Sequence, residues 1–398
     1  MRQVMNNALS GREEPMVMGL STSVKSYHLP IEFTGSGSEY FRIWIVNLLL
    51  MLVTFGIYYP WAKVRRLRYF YGNTLVGGEP MGFHGEPKKM LKGYLLVGLL
   101  FALYSTAGKF SAVAGFLAFV MVAALFPALL KSSMQFRLAN TSWRGLRFRF
   151  NGSLGDAYRA VLPAFVPSLV ILAATMGISD PQKAPSWYAT TLGAVMLAGL
   201  AVVPWLLWNL KKYQHNHYAL ASLQTTFKAT LGSFYSVFFK TMGVMLLPVA
   251  IVGVTTALAF AGKAGGLWAG GGKAAVVAMG VLGGFAAIFA ALVIVKPYMV
   301  CRLQNLVWTR TGCSVLRFRS ELRFRSLLWL TLKNWLLVVL TLGFYWPFAA
   351  VALARLRLEA VAVKTRMSPD ALVNQIRTTE GDAAGDAAGD LFGLDIGF

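Results

Sequence analysis

The chain has 398 residues, of which 56% are hydrophobic and only 14% are charged, and its mean hydropathy is +0.56. Soluble domains carry about 25% charged residues, so this composition excludes an ordinary water-soluble globule. The 38 lysines and arginines outnumber the 16 acids and give a formal net charge of +22. Because these cations lie between hydrophobic runs, they indicate positive-inside topology and contact with anionic lipid headgroups, rather than binding of nucleic acid.

Eight apolar segments follow a polar stretch, residues 1–30, which we predict to be a flexible N-terminal segment. A membrane-spanning helix needs about 20 apolar residues, and the segments approach or reach this length. They occupy residues 43–62, 91–108, 111–130, 161–178, 187–210, 241–261, 274–295 and 327–354. Residues 367–398 contain the run GDAAGDAAGD and too little apolar surface to fold, so we predict a disordered C-terminal tail.

The linkers around the six central segments are of two kinds. Three are short and hold few cations, whereas four are long and basic, at residues 62–92, 131–159, 209–240 and 296–327. Moving basic clusters across the membrane is disfavoured, so we predict that the long linkers are cytoplasmic and the short ones periplasmic. The central segments then form three hairpins of full transmembrane helices.

The long linkers resemble one another. The pattern N-T-x3-G-x4-F-x-G occurs at residues 73–85 and again at residues 140–152. In the run LRFRF, residues 146–150, a period of two would place arginines on one face of a strand and aromatic residues on the other. Residues 317–319 and 323–325 each read Arg-Phe-Arg and are expected to alternate likewise. We interpret these stretches as short β-strands against the inner membrane surface; irregular basic loops are the alternative.

A second repeat joins the first and last apolar segments. The motif N-x6-T-x-G-x-Y-x-P occurs in both, with every identity offset by 287 residues. The pairs are Asn47 and Asn334, Thr54 and Thr341, Gly56 and Gly343, Tyr58 and Tyr345, and Pro60 and Pro347. Gly and Pro both interrupt a helix, so the motif contains its own helix break. These ten residues are candidates for a broken-helix polar path, although the two asparagines could instead hold helices together.

Two topologies are compatible with this duplication. If both terminal segments span the membrane, there are eight spans and the two copies cross in opposite directions. If both are re-entrant or broken, six full spans remain and both termini lie in the cytoplasm. We favour the second arrangement: an all-α polytopic membrane protein whose repeat-built membrane domain, residues 31–366, carries short β-strands in its cytoplasmic juxtamembrane linkers.

These motifs resemble a known family. The run FTGSGSEYF and the later N-x6-TFGIYYPWAKVRRLRYFYGNT are similar to the YjgN family of bacterial inner-membrane proteins, a domain of unknown function. TLGFYWP and the ending GDLFGLDIGF resemble the second half and tail of that family. The resemblance covers residues 28–398 and implies a multi-pass inner-membrane protein, without a substrate. The second copy departs from the first, because Phe348 replaces Trp61 and apolar residues replace the basic cluster at 63–66.

The sequence offers no recognisable catalytic constellation, since it has neither a G-x-S-x-G nor an H-E-x-x-H motif. His215 and His217 are two residues apart and have no evident third ligand, so we expect no metal site. We therefore predict that the protein is not an enzyme and needs no cofactor. The apolar segments also lack a clear Asp or Glu, which weakens the case for ion-coupled transport.

The basic residues beside the membrane are candidate ligands for anionic headgroups on the cytoplasmic side. Each cation near an anionic leaflet contributes about 1 kcal/mol. The predicted rim comprises Lys63, Arg65, Arg66, Arg68, Arg147, Arg149, Arg317, Arg319, Arg323 and Arg325. The alternative is that these cations only fix the topology.

Two functions remain open at this point, and we favour the first, a transporter or channel, with a scaffold as the alternative. The paired helix breaks favour a transporter or channel for a small or amphipathic solute. The basic linkers favour a non-transporting lipid-interacting scaffold or organiser, with a protein partner for the tail through LFGLDI, residues 391–396. The sequence leaves the oligomeric state open.

Overall fold

A single antiparallel sheet of eleven strands forms the base of the molecule. The computed structural model describes residues 27–176, 178, 185–264, 272–374 and 376. The strands are β1 Tyr27–Phe33, β2 Thr74–Val76, β3 Glu79–Phe83, β4 Thr141–Trp143, β5 Leu146–Phe150, β6 Tyr218–Leu220, β7 Leu223–Gln224, β8 Thr226–Phe227, β9 Thr311–Gly312, β10 Leu316–Ser320 and β11 Val361–Thr365.

The sheet is almost a closed barrel. Its strand order is β7-β6-β5-β4-β3-β2-β1-β11-β10-β9-β8, so the two edge strands are neighbours in the sequence. Only Thr225 separates them; its N–H donates to the Tyr218 carbonyl at 2.8 Å and its hydroxyl to the His215 carbonyl. The chain therefore closes the strands into a ring, called the sheet ring below.

The sheet ring corrects the prediction of an all-α fold with isolated short strands. The period-two runs predicted strands at residues 146–150 and 317–319, and both are strands with exposed arginines and buried ends. Each pairs with a neighbour in sequence on one side, β5 with β4 and β10 with β9, and with a distant strand on the other, β5 with β6 and β10 with β11. Residues 323–325 were wrongly expected to alternate as a strand, because Arg323 instead caps the helix that begins at Phe324.

Five helical hairpins rise from the sheet ring in the described part of the chain. The first comprises α1 Gly37–Val53 and α2 Tyr59–Gly72, and the second α3 Pro87–Phe110 and α4 Ala112–Ala139. The third comprises α5 Leu154–Val161, α6 Val166–Thr175 and α7 Ser186–Asn216. The fourth comprises α8 Leu231–Ala264, α9 Gly272–Ala290 and, after a π-helical turn, α10 Lys296–Thr309. The fifth comprises α11 Phe324–Leu340 and α12 Trp346–Glu359.

One backbone hydrogen bond recurs at the base of every hairpin. The residue after each incoming strand donates its N–H to the carbonyl of the residue before the outgoing strand. The five pairs are Thr34 to Asn73, His84 to Asn140, Asn151 to His217, Lys228 to Arg310 and Glu321 to Ala360, at 2.8–3.0 Å. The linker repeat is therefore one structural unit used five times, including the two terminal copies.

The hairpins contact one another in ring order. Among the described residues, every extensive contact between helices joins the arms of one hairpin or two adjacent hairpins, and α12 packs against α1. The first and last hairpins are thus neighbours. Phe41 lies 5.8 Å from Phe348 between ring centroids, and Trp44 lies 6.4 Å from Phe344.

Six helices in the described part of the chain are long and apolar enough to cross a membrane. They are Pro87–Phe110, Ala112–Ala139, Leu154–Thr175, Ser186–Asn216, Leu231–Gly262 and Val276–Thr309. These are the six central segments, paired as predicted. The first and last apolar segments are each divided into two shorter helices that return to the sheet ring.

Both predicted domain boundaries shift in the structure. Strand β1 begins at Tyr27, inside the stretch predicted to be flexible, because Tyr27–Pro30 pair with β11. At the other end, residues 369–374 form a helical turn with Leu372 buried, although the tail was predicted to be disordered from residue 367. Residues 1–26 and 377–398, including the LFGLDI motif, lie outside the described residues.

The bases of the first three hairpins leave little space beside the glycine two residues after the strand, which is Gly35, Gly85 or Gly152. A methyl group on Gly152 would lie 2.6 Å from Phe150 Cε1 and 2.8 Å from the Tyr213 hydroxyl oxygen, and both rings are buried. We expect Gly152→Ala to lower the free energy of unfolding by about 1–3 kcal/mol through overpacking. Thermal unfolding in detergent measures this effect.

The neighbouring Gly155 provides the control. It lies in α5, and the nearest atom to an added methyl group is Ser153 Oγ at 4.0 Å. Gly155→Ala should leave stability unchanged or raise it by up to about 1 kcal/mol, because alanine is the better helix former. Equal losses in the two variants would contradict this account of the hairpin base.

Candidate lipid-binding site at the first helical hairpin

The duplicated motif builds the same helix reversal in both terminal hairpins. The Thr54 hydroxyl donates to the Leu50 carbonyl at 2.7 Å and accepts from the Tyr58 N–H at 3.1 Å. The Thr341 hydroxyl makes the matching bonds to Leu337 at 2.7 Å and from Tyr345 at 2.9 Å. Each threonine thus joins the end of one helix to the start of the next.

The glycines of the motif supply the backbone conformation that the reversal needs. Gly56 has φ +87° and Gly343 has φ +95°, a left-handed region that favours glycine. Each donates its N–H to a carbonyl five residues earlier, at 2.8 Å in both copies. Pro60 and Pro347 sit in the first turn of the second helix, where the missing N–H has no helical partner.

The two motif asparagines are buried in helix packing. Asn47 is 6% exposed and Asn334 is 8% exposed, and Asn334 Nδ2 donates to the Ala349 carbonyl of α12 at 3.5 Å. In both residues the side-chain oxygen is buried and has no hydrogen-bond partner among the described residues. A buried acceptor without a partner lowers the free energy of unfolding, so these two oxygens destabilise both copies of the motif.

A basic groove opens between the arms of the first hairpin. Arg42, Ile43 and Val46 come from one face of α1, and Arg65, Arg68 and Tyr69 come from one face of α2. Residues three and four apart share a helix face, which is why these two short sequence sets converge. The groove is open and shallow, with a volume of about 480 Å³, and its walls are almost entirely apolar, so the three arginines line it mainly with their aliphatic stems.

The positive charges of these three arginines are not neutralised by carboxylates in the described structure. Arg65 lies over the Tyr58 ring at 5.7 Å, and Arg68 donates to the Gly85 carbonyl at 3.4 Å, which fixes its position without neutralising it.

Tyr69 closes the floor of the groove as a neutral hydrogen-bond donor. Its hydroxyl donates to the Ser36 carbonyl at 2.7 Å and to Glu39 Oε2 at 3.3 Å. Burial raises the pKa of Tyr69, and the negative charge of Glu39 raises it further. The phenol therefore stays protonated and adds no negative charge to the groove.

The other predicted rim residues lie elsewhere. Lys63 donates to the Tyr94 hydroxyl at 2.6 Å, between α2 and α3, and Arg66 lies over the Phe70 ring. Arg147, Arg149, Arg317 and Arg319 lie on the exposed face of the sheet ring, whereas Arg323 and Arg325 begin α11. The structure therefore divides the predicted rim into several surfaces.

Sequence reasoning missed Arg42 because it precedes the apolar segment instead of following it. Its position one turn before Val46 was the available signal, since both residues then lie on one face of the same helix.

The fifth hairpin has no equivalent set of cations at these positions. The residues offset by 287 from those lining the groove are Trp329, Leu330, Lys333, Ala352, Arg355 and Leu356. The Arg355 guanidinium is already hydrogen-bonded within the protein, since it donates to the carbonyls of Phe33 at 3.2 Å and Gly35 at 2.9 Å. The two copies share their turn and differ in their charge.

A ring of helical hairpins on one basic sheet, with six helices of spanning length, defines a multi-pass membrane protein. The chain belongs to the family described as bacterial protein of unknown function (DUF898), which matches residues 28–391.

Similar proteins place the chain in the bacterial inner membrane. It is 23% identical to the inner membrane protein YjgN of Salmonella typhimurium over 394 residues, covering 94% of this chain and 95% of that protein. It is 30% identical to the inner membrane protein YjgN of Escherichia coli O157:H7 over 141 residues, or 35% of each chain. No solved structure matches the chain.

The unpaired asparagine oxygens lead to a stability prediction. Asn47→Leu should leave the free energy of unfolding unchanged or raise it by about 1 kcal/mol, because it removes a buried acceptor without a partner. Asn334→Leu should gain less, since it also loses the bond to Ala349. Thermal unfolding of the purified variants measures both effects.

Asn305 is the matched control, because both ends of its amide are paired. Its Nδ2 donates to the Leu322 carbonyl at 2.9 Å, and its Oδ1 accepts from the Leu322 N–H at 2.9 Å and the Ser320 hydroxyl at 2.8 Å. Asn305→Leu should cost about 1–3 kcal/mol. A similar loss in all three variants would show that the motif asparagines are satisfied in solution.

Proposed function

We propose that the protein is a non-enzymatic, lipid-interacting membrane scaffold that binds an anionic phospholipid at the first hairpin. The basic groove carries this proposal, because it places three arginines without carboxylate partners beside the aliphatic side chains of Ile43 and Val46. Guanidinium groups donate two parallel hydrogen bonds to a phosphate, and aliphatic walls suit the start of an acyl chain.

The depth of the first hairpin fits this ligand. From Arg42 to Val53 the helix rises about 16 Å at 1.5 Å per residue, roughly half of a hydrocarbon core of about 30 Å. A re-entrant hairpin of this length would hold Arg42 and Arg68 near headgroup level and its tip near the bilayer centre, with Arg65 about 9 Å from the tip. Positive-inside topology places the sheet ring and these arginines in the cytoplasm.

The hairpin tips support a location in lipid. Phe55 is 97% exposed and Leu342 is 90% exposed, and each lies at the outermost point of a reversal. Large apolar side chains projecting from a tip into water would be unfavourable, whereas in a bilayer they contact acyl chains. The turn itself bonds its own N–H groups, as backbone at membrane depth requires.

The transport hypothesis receives less support from the same residues. It requires the ten motif residues to line a polar path, whereas Thr54, Gly56 and their counterparts are used in turns, and Asn47 and Asn334 are buried. The scaffold is therefore the function that the geometry favours.

Removing two groove cations tests lipid binding. Arg42→Gln with Arg65→Gln should weaken retention of phosphatidylglycerol by roughly 30-fold, since each cation contributes about 1 kcal/mol. Titration of lipid into purified protein, followed by native mass spectrometry, gives the affinity. Phosphatidylcholine, which has no net charge, should bind both proteins equally weakly.

The control removes the same charge from the exposed strand face. Arg147→Gln with Arg317→Gln should reduce retention by less than about 3-fold, because these residues lie outside the groove. Equal loss in the two double variants would show that diffuse charge, and not the groove, attracts the lipid, and would remove the basis of the proposal.

The depth of the tips can be measured with spin labels. In a background without Cys301 and Cys313, labels at Phe55→Cys and Leu342→Cys should be reached by oxygen and shielded from a water-soluble nickel complex, because re-entrant tips end in lipid. Lys109→Cys, at the tip of the second hairpin, should react with an impermeant maleimide from the periplasm. Equal accessibility of positions 55, 342 and 109 to water-soluble reagents would exclude re-entrant tips.

A further inference from the structure

The interior of the sheet ring holds the segment that follows the last strand. Leu372, Val373 and Ile376 are 1%, 7% and 2% exposed. They pack in one cluster with buried side chains from β1, β4, β5, β6, β10 and β11. The cluster also includes Leu29 and Val363, which are directly opposite each other in neighbouring strands. This segment, residues 368–374 and 376, therefore packs inside a nearly closed barrel and fills part of its interior.

A solvent-exposed ion pair lies between the start of this segment and the ring. Arg144 Nη1 lies 2.6 Å from Asp370 Oδ1, and Arg144 Nη2 lies 3.8 Å from Glu79 Oε1. Arg144 sits in the turn between β4 and β5, while its Nε is buried with no hydrogen-bond partner among the described residues. Ser368 caps the helical turn by accepting from the Ala371 N–H at 3.2 Å.

The attachment is separable from the ring itself. Strand β11 completes its pairing with β1 and β10 by Thr365, so no strand pair depends on the residues that follow. An open surface recess of about 350 Å³ lies between Arg144, Asp370 and Val373, beside the ion pair. Among the described residues, the segment is covalently connected to the strands only through residues 366 and 367.

The ring without this segment would contain an apolar void. Small barrels are filled by their own inward side chains, and an unfilled apolar cavity is costly because its lining loses packing contacts. Here part of the filling comes from a helical turn that is not a strand of the barrel. An apolar helix from another source would fill the same space and avoid this cost.

We propose that the interior of the sheet ring is a binding site for a short amphipathic helix, occupied in this structure by residues 368–374 and 376. The chemistry of the bound segment defines the ligand: an acid in the first turn, facing Arg144, followed by apolar residues at the spacing of Leu372, Val373 and Ile376. A protein partner carrying such a helix would exchange with the segment. This site is separate from the basic groove.

Cys313 reports on occupancy of the site. It is one of two cysteines, lies in the β9–β10 turn and packs against the cluster that holds the segment. Cys301 is buried outside that cluster, and its thiol donates to the Leu322 carbonyl at 3.0 Å. A thiol reagent applied to the detergent-purified full chain should therefore modify Cys313 slowly and Cys301 more slowly still.

Releasing the segment should expose Cys313 selectively. In Leu372→Asp with Ile376→Asp, we expect labelling of Cys313 at least about 10-fold faster, because a charged side chain is costly in an apolar interior. A synthetic peptide of residues 366–378 should restore slow labelling, and a scrambled peptide should not. Unchanged labelling in the variant, or release without protection by the peptide, would overturn the proposal.

Exchanging the charges of Arg144 and Asp370 provides a second test that does not place a charge in the apolar interior. Asp370→Arg should accelerate labelling of Cys313, and adding Arg144→Asp should reverse the effect by restoring the ion pair. Aspartate tolerates the positive φ of +50° at position 144. If Cys301 becomes reactive in the Leu372→Asp, Ile376→Asp variant, that variant is misfolded and the charge exchange replaces it as the test. Failure of Arg144→Asp to restore slow labelling of Cys313 would then contradict the proposal.

Discussion

The hydrogen bond that closes each hairpin base is the constraint on which the architecture depends. It joins the residue after one strand to the residue before the adjacent antiparallel strand, as in Thr34 to Asn73 and Glu321 to Ala360. Both arms of a hairpin must therefore leave and return on the same side of the sheet. The hairpin between them can be of any length, which explains how arms of 17 and 14 residues coexist with one of 34.

Bringing the two edges of the sheet together protects the edge strands and also creates an interior that must be filled. Open edge strands offer unpaired backbone groups to other chains, and joining β7 to β8 through Thr225 brings the two edges together. A nearly closed ring of eleven strands encloses a space that short strands fill only in part. Residues 368–374 and 376 occupy this space, so the packing of the ring and the position of the C-terminal segment are linked.

The first and fifth hairpins have the same backbone turn and differ in the charged side chains that they carry. The first and fifth hairpins share the threonine bridge, the left-handed glycine and the buried asparagine. They differ where charge is placed: Arg65 of the first copy corresponds to Ala352 of the fifth, and Arg42 to Trp329. A residue that repeats in both copies is therefore explained by the turn, while a residue found in one copy is the better indicator of a site.

The sequence by itself determined the membrane class, the six long helices, the helix break and the existence of repeats. These features depend on local composition, on hydrophobic length and on the backbone preferences of Gly and Pro, all of which are read within about 20 residues. The alternation in LRFRF likewise predicted a strand at 146–150.

Only the tertiary structure decided which strands pair, that they close into a ring and that residues 368–374 and 376 fill part of it. The partners β1 and β11 lie more than 300 residues apart, and strand alternation specifies a face without specifying a neighbour. The groove depends on the same kind of contact, because Arg42 and Arg65 come together only when the chain reverses at Gly56. Pairing between distant segments is set by packing of the whole chain, and this is why local patterns could not supply it.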